Sequence, residues 1–496
     1  MLKRVLVANR GEIAVRIIRA CRELGIETVA VYSNADRLAP HVFAADQAVH
    51  IGPAPAAESY LRIDTLVAAA KERECDAIHP GYGFLAERAP FARAVEEVGL
   101  VFIGPPASAI EAMGDKTQAR TAMMEAGVPV VPGTADALAD ADEAVTVAVE
   151  VGYPVMLKAA AGGGGKGMRV VHEPDELVAS YEAASREAEA SFGDGSVYVE
   201  KFLEGPRHIE IQVLADHHGT VLHFGERECS IQRRHQKMIE EAPSSVITPE
   251  LRREMGAAAV AAAEAVGYRN AGTVEFLYQD GAFYFLEMNT RIQVEHPVTE
   301  LVTGVDLVQW QLRVASGEAL DIAQADVSWR GHAIECRITS EDPAHGFLPS
   351  SGRIERLNVP GGPGVRWDGG IQEGDEVSLF YDPMLAKLVV HAPTRAEAID
   401  RMLRALDELR VVGVETSASF HRRVLREPDF RAGEIDIRYL ETHPELLDRE
   451  PPEETLRAAA VAAALLAEEQ RERRSIRRID GRSGHVSRWR DMGWRS

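Results

Sequence analysis

Five polar side chains alternate with apolar ones in the stretch LEMNTRIQVEHPVTE, residues 286–300. Alternate residues of an extended strand share a face, so the stretch predicts one strand with acidic, amide and basic groups along one side. A solvent-facing strand of an antiparallel sheet is the alternative interpretation of such a pattern. The residues of this polar row are Glu287, Asn289, Arg291, Gln293 and Glu295.

A second acidic residue lies in the preceding hairpin, TVEFLYQDGAFYFLEMN. We predict a three-residue turn at 279–281. An odd turn length directs Glu275 and Glu287 to the same face, whereas a two-residue Asp-Gly turn would direct them to opposite faces. With the amide of Asn289 they would form a set of oxygen ligands that suits magnesium and does not suit soft metals. Two exposed surface acids are the alternative.

A glycine-rich stretch, AAAGGGGKGMRVV, lies upstream of both features. Gly162, Gly164 and Gly167 match the dinucleotide pattern GxGxxG, but strand-like sequence on both sides argues against that motif. We interpret the stretch as a hairpin whose bare backbone N–H groups close over phosphates, with Lys158 and Lys166 adding positive charge. A disordered surface loop is the alternative.

The composition is that of a soluble globular protein. With 496 residues, 46% of them apolar and 27% charged, the chain has room for two or three domains. Its net charge of -22 opposes binding to nucleic acid or to an anionic membrane. Four scattered cysteines without CxxC spacing favour free thiols. Since neither a signal peptide nor a long apolar run is recognisable, we expect a cytoplasmic protein.

The pattern of elements changes along the chain. KRVLVA, EIAVRIIRACREL and ETVAVYS predict a βαβ unit, so the first hundred or so residues are expected to form an open α/β sheet. Only Gly11 stands in its first turn, which gives poor support to a dinucleotide site there. Antiparallel strand signals follow, and then a mixed segment. We therefore predict a fold of α/β and α+β class, divided as 1–113, 114–330, 331–445 and a helical linker with an arginine-rich tail at 446–496.

Several long strings, in the same order throughout, resemble the biotin carboxylase family over residues 1–440. They include NRGEIAVRIIRACRELGI, HPGYGFLAE, GDKTQAR, KAAAGGGGKGMRVV, EKFLEGPRHIEIQVLAD, ERECSIQRRHQK, EMNTRIQVEHPVTE, GHAIECRI and YDPMLAKL. The segment GDEVSLFYDPMLAKLVV and the C-terminal helix and tail are most similar to acyl-CoA carboxylase alpha subunits of the propionyl- and methylcrotonyl-CoA type. The resemblance implies a Rossmann-like N-terminal domain, an ATP-grasp central domain and a biotin carboxylase C-terminal domain.

The resemblance also implies a reaction, the ATP- and bicarbonate-dependent carboxylation of biotin through carboxyphosphate. Glu295 would deprotonate bicarbonate, and Arg337 would stabilise the ureido oxygen of biotin. The dianion would be stabilised by Lys237, Arg291, Gln293 and the backbone N–H of Val294. Magnesium, or manganese in its place, would be held by Glu275, Glu287 and Asn289.

The ATP contacts follow from the same resemblance. Lys116 and Lys158 would meet the phosphates, under a lid that contains Gly164 and Gly165. Cys229 lies near this site in the sequence, and we expect it to be a buried small residue and not a nucleophile. The remaining nucleotide contacts would be Glu200, Lys201, Leu203, His208, Gln232, His235, Leu277 and Ile437, together with the acids Glu275 and Glu287.

Two other functions stay open at this point. A different carboxyphosphate-forming ATP-grasp ligase would share the chemistry, but it would not need Arg337 or the full RIQVEHP string. A catalytically inactive ATP-binding scaffold should have lost the base or a metal ligand, and all of these residues are present.

The expected partners follow from the resemblance and from one missing string. The chain has no AMKM-like biotinylation sequence, so we expect a biotin carboxyl carrier protein on another chain or in a missing C-terminal region. Homo-oligomerisation is also expected, as is a carboxyltransferase subunit, which would choose the final acyl-CoA. Trp489 and Trp494 lie in the tail, which should be mobile until a partner covers it.

Overall fold

The computed structural model describes residues 2–134, 137–159, 168–192, 195–447, 457–458, 460–469 and 471. One compact unit spans Met1–Leu447 and a second spans Asp448–Ser496. In the second unit, residues 457, 458, 460–469 and 471 are helical and exposed. The tryptophan-containing tail lies outside the described residues.

The chain begins with a five-stranded parallel sheet of order β3-β2-β1-β4-β5, flanked by helices. Val5 and Val7 join one buried cluster and Leu6 joins another, because successive side chains of a strand point to opposite faces. Burial on both faces is typical of a doubly wound parallel sheet and confirms the predicted Rossmann-like region. Its elements are β1 (Arg4–Val7), α1 (Gly11–Glu23), β2 (Glu27–Ser33), α2 (Pro40–Ala44), β3 (Gln47–Gly52), α3 (Ile63–Glu72), β4 (Ala77–His79), α4 (Ala89–Glu97), β5 (Val101–Phe102) and α5 (Ala107–Gly114).

The order of this sheet reverses between β1 and β4. Ligands of open α/β sheets bind at the carboxyl ends of the strands beside such a reversal. Here the two strand ends are tied together by Asn9, whose Nδ2 donates to the carbonyls of Pro80 and Tyr82, both at 2.7 Å. The fold therefore presents residues 9–12 and 80–83 as one edge of a possible site.

The middle of the chain contributes a small three-stranded sheet, β7-β6-β8, and most of an eight-stranded sheet. The ladders of both sheets are antiparallel. The elements are α6 (Lys116–Glu125), α7 (Ala141–Val151), β6 (Val155–Ala159), β7 (Met168–Val171), α8 (Leu177–Phe192), β8 (Val197–Lys201), β9 (Arg207–Ala215), β10 (Val221–Arg233), β11 (Gln236–Ala242), α9 (Pro249–Ala265), β12 (Asn270–Gln279), β13 (Ala282–Asn289), α10 (His296–Thr303) and α11 (Leu307–Ala315).

The C-terminal part of the first unit completes the large sheet. The strand order is β13-β12-β9-β10-β11-β14-β21-β19, so the pairing of β11 with β14 carries the sheet across the predicted boundary at 330/331. The elements are β14 (His332–Thr339), β15 (Glu341–Asp342), β16 (Leu348–Pro349), β17 (Gly352–Arg353), β18 (Arg356–Asn358), β19 (Val365–Gly369), β20 (Glu376–Val377), β21 (Met384–Ala392), α12 (Arg395–Glu408), β22 (Arg410–Val412), α13 (Ala418–Arg426), α14 (Pro428–Ala432) and α15 (Tyr439–Thr442).

Alternation along β14 separates a core face from a polar face. Ile334, Cys336 and Ile338 belong to a buried apolar cluster under α12 and α13, whereas Glu335 and Arg337 point to the opposite side. None of the described helices combines the length and apolar character needed to cross a membrane.

Candidate active site

The hairpin of β12 and β13 brings the two acids of the predicted metal site together, but the predicted turn length was wrong. The turn has two residues, Asp280 and Gly281, since Gln279 pairs with Ala282. Both turn residues have positive φ, as such tight turns favour. A bulge at Leu286 then shifts the register, so that Glu275 lies directly opposite Glu287. The extra residue of the bulge replaces the extra turn residue that was expected.

The polar row does not lie on one strand. Strand β13 ends at Asn289, and helix α10 begins at His296. Residues 290–295 form an irregular connection that bends between the two elements. The predicted single strand was therefore wrong for residues 290–295, although the five polar residues of the row all line one cleft.

This central cleft has a volume of about 710 Å³. It lies on the polar side of the large sheet, where β12, β9, β10, β11 and β14 run side by side. The cleft collects most of the residues that the resemblance placed in catalysis and in bicarbonate binding. The predicted site residues in its lining are His208, Gln232, His235, Lys237, Glu275, Glu287, Asn289, Arg291, Gln293, Val294, Glu295 and Arg337.

Lys237 and Glu295 form the centre of the cleft. Lys237 Nζ lies 2.8 Å from Glu295 Oε1 and 2.8 Å from Glu275 Oε1, and it also contacts Glu210. Burial by itself raises the pKa of Glu295, but Lys237 and Arg337 outweigh it and hold the pKa well below its ordinary value. Glu295 is therefore an ionised, buried carboxylate beside two cations.

Arg291 occupies one side of the cleft. Its Nε lies 2.8 Å from Glu87 Oε2, and its Nη2 donates to Asn289 Oδ1 at 2.8 Å. Burial lowers the pKa of Arg291, and the charge of Glu87 overcomes this and raises it. Arg291 therefore stays charged, and Glu87 fixes its orientation. Nothing in the sequence near Arg291 pointed to Glu87, which lies on the first-sheet side of the molecule.

Arg337 approaches Glu295 from β14. Its Nη2 donates to Glu295 Oε2 at 3.0 Å, and its Nε donates to Glu240. Within the described residues no acceptor engages Nη1. Arg337 also lines a second cavity of about 400 Å³, the Tyr82 cavity, together with Asn9, Tyr82 and Gly83 from the ends of β1 and β4. The reversal point of the first sheet thus opens onto Arg337.

A buried arginine that was not predicted from the sequence forms hydrogen bonds with residues at the base of the cleft. Arg227 is fully buried on β10. It donates to Gln293 Oε1 at 2.6 Å and also to Glu210. Gln293 Nε2 in turn donates to Glu275 Oε1 at 2.7 Å. The sequence does contain a clue to Arg227, because it lies inside the long strand-like string VLHFGERECSIQ. A charged residue in a buried strand is uncommon unless its charge is paired.

The acids of the hairpin fit a hard divalent cation. Glu275 and Glu287 lie opposite each other in the ladder, and both line the central cleft. Burial raises the pKa of Glu275, but His208 and Lys237 lower it below its ordinary value, so the carboxylate is charged. Asn289 Nδ2 donates to Glu275 Oε1 at 2.7 Å, which places the amide group beside the acids, and its Oδ1 accepts from Arg291. Carboxylate and amide oxygens are the ligands that magnesium prefers.

Some of the residues expected to meet the nucleotide line an adjoining cavity of about 450 Å³, the Lys158 cavity. It shares Leu286, Glu287 and Asn289 with the central cleft. Lys158 Nζ contacts Glu200, and these two residues line the cavity together with Leu277. Glu287 and Asn289 therefore lie where the Lys158 cavity meets the central cleft.

Three expected nucleotide contacts lie elsewhere. Lys201 Nζ donates to the carbonyls of Gly152 and Tyr153, both at 2.9 Å, so its side chain secures that loop. The backbone N–H of Ile437 donates to the carbonyl of Pro206 at 3.1 Å, which brings Ile437 to the segment that contains Leu203. None of these three side chains lines the central cleft or the Lys158 cavity.

Some expected contacts fall on parts of the chain that are not described. Gly162, Gly164, Gly165, Lys166 and Gly167 lie outside the described residues. Lys116 begins α6, and its side chain is not described. Cys229 is fully buried, and burial raises its pKa well above the ordinary value. A buried neutral thiol agrees with the predicted structural role.

Comparisons with known proteins match most of the chain. Three family models fit the chain, "Biotin carboxylase, N-terminal domain" at residues 1–110, "Carbamoyl-phosphate synthase L chain, ATP binding domain" at 115–323 and "Biotin carboxylase C-terminal domain" at 335–442. Biotin carboxylase 1 of Bacillus subtilis is 54% identical, covering 89% of this chain and 99% of that protein. The biotin carboxylase of Pseudomonas aeruginosa is 54% identical, covering 89% of this chain and 98% of that protein.

A solved structure matches as well. It is the biotin carboxylase domain dimer of the Hydrogenobacter thermophilus 2-oxoglutarate carboxylase, in complex with MgADP, ADP and bicarbonate. It is 51% identical, covers 91% of this chain and 100% of that one, and has a TM-score of 0.82. Fold and site thus define an ATP-grasp enzyme with a Rossmann-like N-terminal region. The chain belongs to the biotin carboxylase family, and its narrower likeness to acyl-CoA carboxylase alpha subunits stays a prediction.

Proposed function

We propose that the chain carboxylates biotin on a carrier protein, using ATP and bicarbonate, as the first half-reaction of a biotin-dependent carboxylase. It is an ATP-dependent ligase that forms a C–N bond. The observation that carries the proposal is Glu295, an ionised and buried carboxylate that lies 2.8 Å from Lys237 and 3.0 Å from Arg337 in the central cleft. Identity above 50% to two members of the family over nearly their whole length supports it.

Glu295 is the proposed base. A carboxylate whose pKa is held low accepts a proton from bicarbonate only if the product dianion is stabilised at the same time. Lys237 and Arg291 supply the positive charge, and Gln293 and the backbone N–H of Val294 complete the expected bicarbonate contacts. Because Arg227 and Glu87 fix Gln293 and Arg291, the donors are already oriented before bicarbonate arrives.

Glu275, Glu287 and Asn289 are the proposed metal ligands. Magnesium bound there would neutralise charge on the ATP phosphates. All three residues line the central cleft, and Glu287 and Asn289 also line the Lys158 cavity, so a phosphate group held between the two cavities would face bicarbonate. Lys158, Glu200 and Leu277 are proposed to hold the nucleotide in the Lys158 cavity, and His208, Gln232 and His235 are proposed to reach it from the cleft.

Arg337 is proposed to serve biotin. It is the basic residue common to the linings of the central cleft and the Tyr82 cavity, so biotin entering from the Tyr82 cavity meets Arg337 before it meets Glu295. Nη1 of Arg337, to which the described residues supply no acceptor, is suited to the negative charge that develops on the ureido oxygen as biotin attacks carbon dioxide.

Partners follow from the chemistry of the half-reaction. The partners that we propose are a biotin carboxyl carrier protein and a carboxyltransferase subunit. We also propose association into a homo-oligomer and a cytoplasmic location. The dimer described for the Hydrogenobacter thermophilus domain supports self-association. The divisions 1–113, 114–330, 331–445 and 446–496 are proposed as the domain boundaries.

The proposed function is tested by ATP hydrolysis with the purified chain. Hydrolysis should require bicarbonate and magnesium, and free biotin should stimulate it. A carbamoyl-phosphate-forming ligase would hydrolyse ATP with bicarbonate, but biotin would not change its rate of hydrolysis. Hydrolysis at one rate with and without bicarbonate would contradict both assignments.

A further inference from the structure

A pair of buried acids lies behind Arg337, on the side of β11 and β14 that faces Glu295. Glu240 and Glu335 are directly opposite each other in the β11/β14 ladder, and both are completely buried. Their Cβ atoms are therefore about 5 Å apart. Glu240 accepts from Arg337 Nε through one oxygen, and its other oxygen has no partner among the described residues. Both oxygens of Glu335 lack a partner within the same residues.

Two ionised carboxylates cannot stay this close in a dry interior without donors, because each would repel the other and neither would be solvated. Arg337 donates to one member of the pair, Glu240, and its other hydrogen bond goes to Glu295. An ionised Glu335 would therefore be an uncompensated buried charge, whereas a neutral Glu335 removes the conflict.

We propose that Glu335 is a positioning residue for biotin carboxylation: the buried pair keeps one proton, which resides on Glu335, so that Glu240 is the only carboxylate of the pair that acts on Arg337. An ionised Glu335, two residues before Arg337 on the same strand face, would weaken the stabilisation of negative charge on biotin. The inference rests on the proposed function, since it assigns Arg337 to the biotin step.

Among the described residues, no cation forms a hydrogen bond with Glu335. Lys387 on β21 is the nearest candidate, but its Nζ is committed to Glu12 Oε1 at 3.2 Å and to the Val294 carbonyl at 2.8 Å. His296, in the first turn of α10, is buried and neutral, since burial and then Lys387 lower its pKa well below its ordinary value. The charged groups facing Glu335 are Glu240 on β11, Arg337 on β14, Lys387 on β21 and Glu295 before α10.

The titration behaviour agrees with this geometry. Burial raises the pKa of Glu335 well above its ordinary value against the lowering effect of Lys387 and Arg337, and Glu240 and Glu295 add to the rise. Burial also raises the pKa of Glu240, to about 7, against the lowering effect of Arg337. Glu335 is therefore the member of the pair that keeps its proton at neutral pH.

The first experiment compares pH profiles of free-biotin carboxylation for the wild-type chain, Glu335→Gln and the control Glu254→Gln, an exposed acid on α9. At neutral pH, Glu335→Gln should work within about twofold of wild type. At alkaline pH, ionisation of Glu335 should lower the wild-type rate by up to about tenfold per pH unit, and Glu335→Gln should lose that component of the decline while Glu254→Gln keeps it. An unchanged profile for Glu335→Gln, or a tenfold loss at neutral pH, would overturn the proposal.

A second readout needs no turnover. At neutral pH the infrared spectrum of the wild-type chain should contain the carbonyl band of a protonated carboxylic acid, and Glu335→Gln should reduce it while Glu254→Gln does not. If Glu335→Gln does not fold, Glu335→Leu supplies a second neutral variant for the same comparison. The lack of any such band in the wild-type chain at neutral pH would refute the proposal without a variant. Failure of the proposed function is distinguishable, because it would abolish carboxylation in every chain and leave this band in place.

Discussion

Replacing Arg337 by alanine should separate the two halves of the reaction. Arg337 is proposed to stabilise charge on biotin after the carboxyphosphate has formed, so its loss should affect carboxylation more than bicarbonate-dependent ATP hydrolysis. The structure makes the separation incomplete, because Arg337 Nη2 also donates to Glu295 Oε2 at 3.0 Å. Without Arg337, Lys237 remains 2.8 Å from the other oxygen of Glu295, so the base keeps one of its two nearest cations.

The two effects differ in size. Loss of one donor at a developing negative charge costs about 3 kcal/mol, or roughly 10²-fold in rate. Loss of one hydrogen bond to a charged group costs about 1.5 kcal/mol, or roughly tenfold, and this applies to the hydrolysis step. We therefore expect Arg337→Ala to lower biotin carboxylation about tenfold further than it lowers ATP hydrolysis.

The assay measures both activities in the same preparation, with free biotin and saturating bicarbonate. Arg330→Ala is the matched control, because Arg330 is exposed just before β14. The control should keep both activities. Equal losses of the two activities in Arg337→Ala would refute the assignment of Arg337 to the biotin step.

Three more outcomes are expected. Glu295→Gln keeps the size of the side chain but removes the base, so bicarbonate-dependent ATP hydrolysis should fall by about 10³-fold, and a loss of less than tenfold would argue against Glu295. Above about pH 4.5 the folded chain keeps a proton on Glu335 that the unfolded chain releases, so the free energy of unfolding of the wild type relative to Glu335→Gln should fall by up to about 1.4 kcal/mol per pH unit. Denaturant unfolding at several pH values measures this difference. A difference that does not change with pH would exclude a raised pKa of Glu335. On co-expression with biotin ligase, a streptavidin blot should label a separate carrier and leave this chain unlabelled, and a labelled band at the mass of this chain would disprove the prediction.

Local patterns predicted the first sheet well. The alternation of strand and helix patterns identified the βαβ unit, and helix α1 ends at Glu23, one residue before the end of the string EIAVRIIRACREL. For the hairpin, the predicted turn length was wrong, but the prediction that Glu275 and Glu287 share a face was right. A bulge depends on how β13 fits against β12, and the string FYFLEMN carries no local mark of it.

Long-range pairing explains what the sequence analysis missed. Glu87 meets Arg291 across 204 residues of chain, and Glu240 meets Arg337 across 97. No periodicity connects residues that far apart. The family resemblance located the cleft residues, but the partners that orient them and the buried pair of Glu240 and Glu335 became visible only in the folded chain.

The most direct test of the central proposal is transfer of label from radioactive bicarbonate to free biotin. With ATP and magnesium, the purified chain should form acid-labile carboxybiotin, and Glu295→Gln should form far less. Omission of ATP should abolish the product. Bicarbonate-dependent ATP hydrolysis without any labelled biotin, at biotin concentrations that saturate the stimulation, would contradict the account.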